Sequence, residues 1–276
     1  MSWKELAPFI VFLILAASAV VMVMWYPNQR LRKIRSAPFP ETWEVILEAN
    51  LPVYKRLPDN LKHQLQGLIN VFLHQKTFYG CAGLEITDEM RVTIAGEACL
   101  LLLNRSTNEY NDLRFILVYP EAFRAEREVI NDDGTAAVSS HGLLGESWNN
   151  GKVILSWDDV IAGARDFTDG HNVVLHEFAH QLDGESGSTN GAPLLRTPTS
   201  YRSWARVLSD EFNILRDSAF KGKKSVMDNY GATNPAEFFA VATETFYEKP
   251  KEMAEKHPEL FRELRNYYCV DPRDWV

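Results

Sequence analysis

Cysteine is scarce in this chain: three among 276 residues, Cys81, Cys99 and Cys269, with no C-x-x-C pair. An odd, scattered set is not a disulfide framework and offers no thiolate metal site. It fits a reducing compartment, or thiols that simply pack in a core. A basic excess is also missing. With 29 Lys and Arg against 37 Asp and Glu, the net charge is −8 and the pI is near 5.4. Nucleic-acid-binding surfaces are normally basic, so no nucleic-acid partner is expected. Internal repeats and low-complexity tracts are lacking too. What remains, 46% hydrophobic and 12% aromatic residues, suits a globular protein with one sizeable core or two modest lobes.

The longest apolar run, Phe9 to Tyr26, has no charge over 18 residues, and Ser18 is its one polar member. That length is enough to span a bilayer. Trp25 and Tyr26 sit where an interfacial belt would be, and Arg30, Arg32, Lys33 and Arg35 follow, against Lys4 on the other side. The pattern predicts a membrane anchor through residues 9–26, with the N-terminus outside and the rest facing the cytoplasm. A cleaved signal peptide is the rival, because Ala17-Ser18-Ala19 resembles a cleavage site; the continuing apolar run and the late basic cluster favour the anchor. Ser36 to Pro40 reads as a linker, which divides the chain into an anchor with its basic flank, 1–35, and a domain, 36–276.

Within that domain, 3–4 spacing of apolar residues predicts helix through 41–79, and again over Val92–Leu103 and Tyr201–Arg216. Short strands are expected at 84–87, Phe115–Tyr119 and Lys152–Trp157. Gly, Asn and Asp clusters mark 131–151, which contains His141, as loop, and Gly184–Pro198 reads likewise. Tyr267, Tyr268 and Trp275 are expected to be packing residues.

The chemistry centres on Val173-Val174-Leu175-His176-Glu177-Phe178-Ala179-His180-Gln181-Leu182-Asp183. His176 and His180 stand at i and i+4, so on a helix both imidazoles point the same way and can close on one zinc ion. Glu177 between them can face a water at the metal and take its proton. Asp169 or Asn172 can cap this helix, and Gly184 can end it. Asp183, one turn past His180, is placed to order a ligand histidine or a loop. A catalytic zinc site needs a third protein ligand, and no third histidine follows at metzincin spacing. A carboxylate on a later helix must supply it. Glu237 and Glu244, seven apart in Asn234-Pro235-Ala236-Glu237-Phe238-Phe239-Ala240-Val241-Ala242-Thr243-Glu244, share one face. Glu237 also suits a capping box after Asn234 and Pro235. Glu244, in an apolar run, could ligate or could accept a hydrogen bond from a ligand histidine.

His-Glu-Phe-Ala-His-Gln-Leu-Asp, followed about 50 residues later by Tyr-x6-Glu, resembles the gluzincin-type peptidases of the Mlc titration factor A family. The catalytic domain of anthrax lethal factor is a more distant likeness. Gly145-Glu146-Ser147-Trp148, Val153–Trp157, the motif helix and Asn234–Ala240 match in order, so the resemblance covers most of residues 40–270. It implies Glu237 as third zinc ligand and Tyr230 as a hydrogen-bond donor to the oxyanion of a tetrahedral intermediate. It also implies aminopeptidase-like action on peptides. The enterobacterial members resemble soluble cytosolic proteins associated with a glucose-regulated transcriptional repressor; the hydrophobic N-terminal segment departs from them.

The expectation is an α+β, zincin-like domain, a mixed sheet with a helical surround, behind one transmembrane helix in the bacterial cytoplasmic membrane. It binds one Zn²⁺ and hydrolyses peptide or protein substrates. A membrane-tethered module that sequesters a cytosolic regulatory protein, with zinc mainly structural, is the alternative. Glu177 favours catalysis, because a purely structural site does not need it.

Overall fold

The computed structural model describes residues 9, 11–13, 15–16, 18, 20, 29–105, 110–121, 127–130, 136–139, 151–195 and 197–275. Helices dominate. Helix Glu41–Asn50 is followed by the short Pro52–Arg56 and by Asp59–Gln75, which buries Leu61, Leu65, Leu68, Ile69, Phe72 and Leu73 along one stripe. At its end Lys76 is buried, and its ammonium donates to the carbonyls of Tyr110 (2.6 Å) and Leu113 (2.9 Å). Those bonds bring the entrance of one strand beside the entrance of the next.

The strands are β1 (Thr77–Gly80), β2 (Phe115–Tyr119), β3 (Arg127–Ile130), β4 (Ala136–Ser139) and β5 (Lys152–Ser156). β1, β2 and β5 form a parallel sheet in that order, with Thr77 opposite Phe115 and Phe115 opposite Lys152. β3 and β4 make a separate antiparallel pair. The expected mixed sheet is therefore corrected. The three-stranded sheet is all parallel, because helix Asp88–Leu100 carries the chain from the end of β1 back to the start of β2, as a parallel crossover requires. The first strand is also displaced from 84–87 to 77–80. A Cβ on Gly80 would sit 1.8 Å from the Leu84 carbonyl, so the chain doubles back there, and Leu84 and Ile86 pack on the core outside the sheet.

The membrane anchor is corrected as well, and with it the assignment to a single-pass protein of the bacterial cytoplasmic membrane. A span needs an unbroken apolar helix of about 20 residues. Among the described residues no helix is long and apolar enough to cross a membrane. Residues 10, 14, 17, 19 and 21–26 of the proposed anchor lie outside the described residues, as do His141 and Gly145–Trp148.

Two buried helices pack against each other at the centre of the molecule, Val173–Gly184 and Pro235–Glu248. Phe178 on the first meets Tyr110 (ring centroids 4.9 Å) and Phe72 (5.7 Å). Phe239 on the second meets Trp204 of helix Pro198–Phe220 (5.7 Å) and Tyr267 of helix Pro258–Tyr268 (5.8 Å). Tyr267, Tyr268 and Trp275 all belong to this core.

Candidate metal centre

The motif helix starts where Asn172 caps it: the side-chain oxygen accepts from the Leu175 amide at 2.9 Å. Asp169, the other capping candidate, instead accepts from the His171 amide. Gly184 is the last residue of the helix rather than the left-handed residue just beyond it, and a left-handed glycine comes three later, at Gly187 (φ 95°). The Pro235–Glu248 helix is capped by Asn234, whose oxygen accepts from the amides of Ala236 (2.9 Å) and Glu237 (3.0 Å), with Pro235 at its first position.

These two helices bring His176, His180 and Glu237 together. Glu237 Oε2 lies 3.0 Å from His176 Nε2 and 3.3 Å from His180 Nε2, and the two nitrogens are 3.2 Å apart. Four ligands at 2.0–2.1 Å on a tetrahedral zinc stand about 3.3 Å from one another, so the three atoms already form one face of such a site. Glu244 Oε1 accepts from His176 Nδ1 at 2.7 Å. With that proton on Nδ1, a neutral His176 turns its Nε2 lone pair towards the lone pairs of Glu237 and His180. These three atoms are satisfied by a proton on His180 Nε2 donated to Glu237, by an added proton, or by a metal ion that takes all three lone pairs.

The electrostatics reflect the same contacts. Burial lowers the His176 pKa, but its bonds to Glu237 and Glu244 hold it up at about 10. Burial lowers His180 to about 4, with the Glu237 bond opposing and the charge of His176 assisting. Burial would raise Glu237, yet the two histidines bring it down to about 2.

Glu177 is 1% exposed on the same helix. Tyr230 stands on the turn Asn229–Ala232, fixed by Asp228, which accepts from the Tyr230 amide at 2.7 Å. Its ring centroid lies 5.9 Å from that of His176. Burial, with Glu237 and Glu177 nearby, raises its pKa to about 12, so the hydroxyl keeps its proton at neutral pH. Asp183 does not order a histidine through any bond described here. It accepts from the Gly191 amide at 2.7 Å and so holds the loop after the motif helix.

Sequence reading passed over one layer of support. Asn172 donates its backbone N–H to Glu244 Oε2 (2.6 Å) and its side-chain amide to Glu97 Oε1 (2.7 Å), while Glu248 accepts from the Gly170 amide (2.8 Å). Glu97, Asn172 and Glu244 thus form a buried relay ending on His176. The signal was present, since Glu97 interrupts the apolar run 92–103 just as Glu244 interrupts its own.

Burial raises Glu97 to about 8, the Asn172 bond opposing. A carboxyl held protonated by the fold stabilises fully below its ordinary pKa and loses that contribution as pH rises through its folded value. Glu97→Gln, which mimics the protonated acid, is expected to melt increasingly above the wild type as pH goes from 6 to 9. Thermal unfolding of both proteins across that range measures it, and parallel curves would refute the assignment.

A sequence model described as glucose-regulated metallo-peptidase M90 matches residues 25–269. An uncharacterized protein of Synechocystis is 38% identical over 270 residues, covering 96% of this chain and 98% of its own length. Mlc titration factor A of Klebsiella pneumoniae is 32% identical, covering 83% of this chain and 86% of the relative. Its counterpart in Pectobacterium atrosepticum is 30% identical, with 91% and 93% covered.

Proposed function

The chain belongs to the glucose-regulated metallo-peptidase M90 family, and on that footing we propose that it is a zinc-dependent peptidase. His176, His180 and Glu237 hold the metal, Glu177 is the general base and Tyr230 the oxyanion donor. The observation that carries this is the convergence of three ligand atoms, each within 3.3 Å of the others, beside a buried carboxylate held on the same helix. Bound Zn²⁺ supplies a Lewis acid and lowers the pKa of the attacking water towards 7.

Glu177 takes the proton of that water and returns it to the leaving amine. Its seclusion from solvent strengthens its interaction with every charge that develops nearby. Tyr230 donates its retained proton to the oxygen of the scissile carbonyl as negative charge builds there. Glu244 holds His176 in the tautomer that offers Nε2 to the metal. β5, an edge of the three-stranded sheet among the described residues, precedes the motif helix by one short helix, Trp157–Arg165. An extended peptide can add beside such an edge. Aminopeptidase-like action on short peptides is the finer part of the proposal.

The test is hydrolysis of a fluorogenic peptide panel by the zinc-loaded chain, its loss on chelation and its return with zinc. Tyr230→Phe is expected to lower kcat by about 10²-fold with little change in KM, since an oxyanion donor acts in the transition state. An unchanged kcat would remove Tyr230 from the mechanism. The relatives' name refers to titration of Mlc, so capture of a regulatory protein is the second reading, without the membrane tether expected from sequence. It predicts zinc binding with no hydrolysis of any peptide.

A further inference from the structure

A cavity of about 460 Å³ opens where helix Pro198–Phe220 begins beside helix Pro258–Tyr268. Leu194, Leu195 and Trp204 wall one part of it and Arg105 and Tyr267 another, and it contains none of the metal-centre residues. Its size is that of a small-molecule site.

Its polar groups are incompletely used. The Arg105 guanidinium lies 4.1 Å from the centre of the Tyr267 ring. Among the described residues no carboxylate forms an ion pair with it, and the Glu185 charge acts on it only from farther off. Arg105 Nη1 and the Tyr267 hydroxyl are both buried and interact with each other, and neither has a further hydrogen-bond partner among the described residues. A cation and a phenol in that condition complement a carboxylate, which accepts from both. The N-terminus of the 23-residue helix, with Thr197 and Ser200 on the cavity wall, adds partial positive charge. Glu263 shares the cavity and is engaged by the Ser203 hydroxyl. Its charge opposes any anion and a dianion such as phosphate twice as strongly, which favours a singly charged ligand placed at the Arg105 side. The remaining wall of Leu194, Leu195 and Trp204 is apolar.

The wall also touches the metal centre's own scaffold. Trp204 Nε1 donates to the Gly191 carbonyl at 2.9 Å, while the Gly191 amide donates to Asp183 on the motif helix at 2.7 Å. A Cβ on Gly191 would lie 2.4 Å from the carbonyl of Pro235, two residues before Glu237. One peptide segment is thus shared between the cavity, the motif helix and the helix bearing Glu237.

We propose that this cavity binds a small monocarboxylate with an apolar body, and that its occupancy tightens the Gly191 segment. An acylated amino acid and the C-terminal residue of a short peptide share that chemistry. The ligand reaches the Arg105–Tyr267 pair from the cavity side, past exposed Leu194. The inference stands whether or not the metal centre is catalytic, and hydrolysis does not enter its test.

Calorimetry on the full chain would compare N-acetyl-leucine with N-acetyl-leucinamide. The acid is expected to bind at least about tenfold more tightly, as a charge-assisted pair with a secluded guanidinium implies. Arg105→Gln should abolish that preference. If Arg105→Gln does not fold, Thr199→Trp, on the exposed rim, should plug the cavity and remove binding without disturbing the core. Hydrogen exchange should show the Gly191 amide better protected with the acid bound. Equal affinity for acid and amide, no binding at millimolar concentration, or unaltered binding by Thr199→Trp would each overturn the site. Unchanged Gly191 exchange would overturn the coupling. Alanyl-alanyl-leucine binding more tightly than N-acetyl-leucine assigns the site to peptide C-termini; equal or weaker binding assigns it to free small carboxylates.

Discussion

Glu177→Gln is expected to lower kcat on any peptide the wild type cleaves by about 10²–10⁴-fold, while one zinc per chain remains bound. The substitution is nearly isosteric and keeps the helix, but the amide cannot accept the proton of the attacking water. Gln keeps the length and shape of the side chain on a buried helix whose Asn172 cap is untouched, so the ligand atoms should stay where they are. Elemental analysis and kinetics on the same preparation decide the matter. Full zinc with lost turnover supports catalysis at this centre. Full zinc with undiminished turnover would mean that another group is the base. Zinc binding with no hydrolysis even in the wild type would favour the regulatory-protein reading.

The second large effect separates the two glutamates of the Pro235–Glu248 helix. Glu237→Ala is expected to remove stoichiometric zinc at micromolar metal and to abolish hydrolysis, because one face of the site loses a vertex and two histidines remain. Glu244→Gln should keep the metal but weaken its binding by about 10–100-fold, since it disturbs only the hydrogen bond that orients His176. Competition with a chromogenic chelator measures both. If the Glu244 variant loses zinc and the Glu237 variant retains it, the roles are reversed and the ligand set is wrong.

That distinction shows where the linear order of residues stops being informative. Glu237 and Glu244 lie seven apart and share a helix face, so periodicity places both towards the motif helix without ranking them. In the fold they divide one imidazole: Glu237 meets His176 Nε2 and reaches His180 as well, whereas Glu244 meets His176 Nδ1. The resemblance to a known family had selected Glu237, and the geometry is consistent with that choice. Asp183 remained ambiguous for the same reason, because whether it faces a histidine or a loop depends on where Gly191 returns. The first strand was misplaced because a four-residue stretch carries little periodicity, and pairing with β2 outweighs local propensity.

The hydrophobic segment at the N-terminus shows the opposite hazard. Eighteen uncharged residues are a strong local signal, yet they are read as a span only if they form one long apolar helix, which is not found among the described residues.

By itself the sequence determined what is local. It specified the motif helix with a cap at Asp169 or Asn172, the i and i+4 placement of His176 and His180, the carboxylate between them, and the strands that begin at Phe115 and Lys152. Each follows from backbone geometry over a few residues. Tertiary structure decided everything that joins distant segments: the meeting of Glu237 with His176 across 61 residues, the approach of Tyr230, the relay from Glu97 through Asn172 to Glu244, and the cavity beside Arg105. The physical reason is that burial and long-range packing set these contacts. A titratable side chain is turned to one partner rather than another only when two elements close around it.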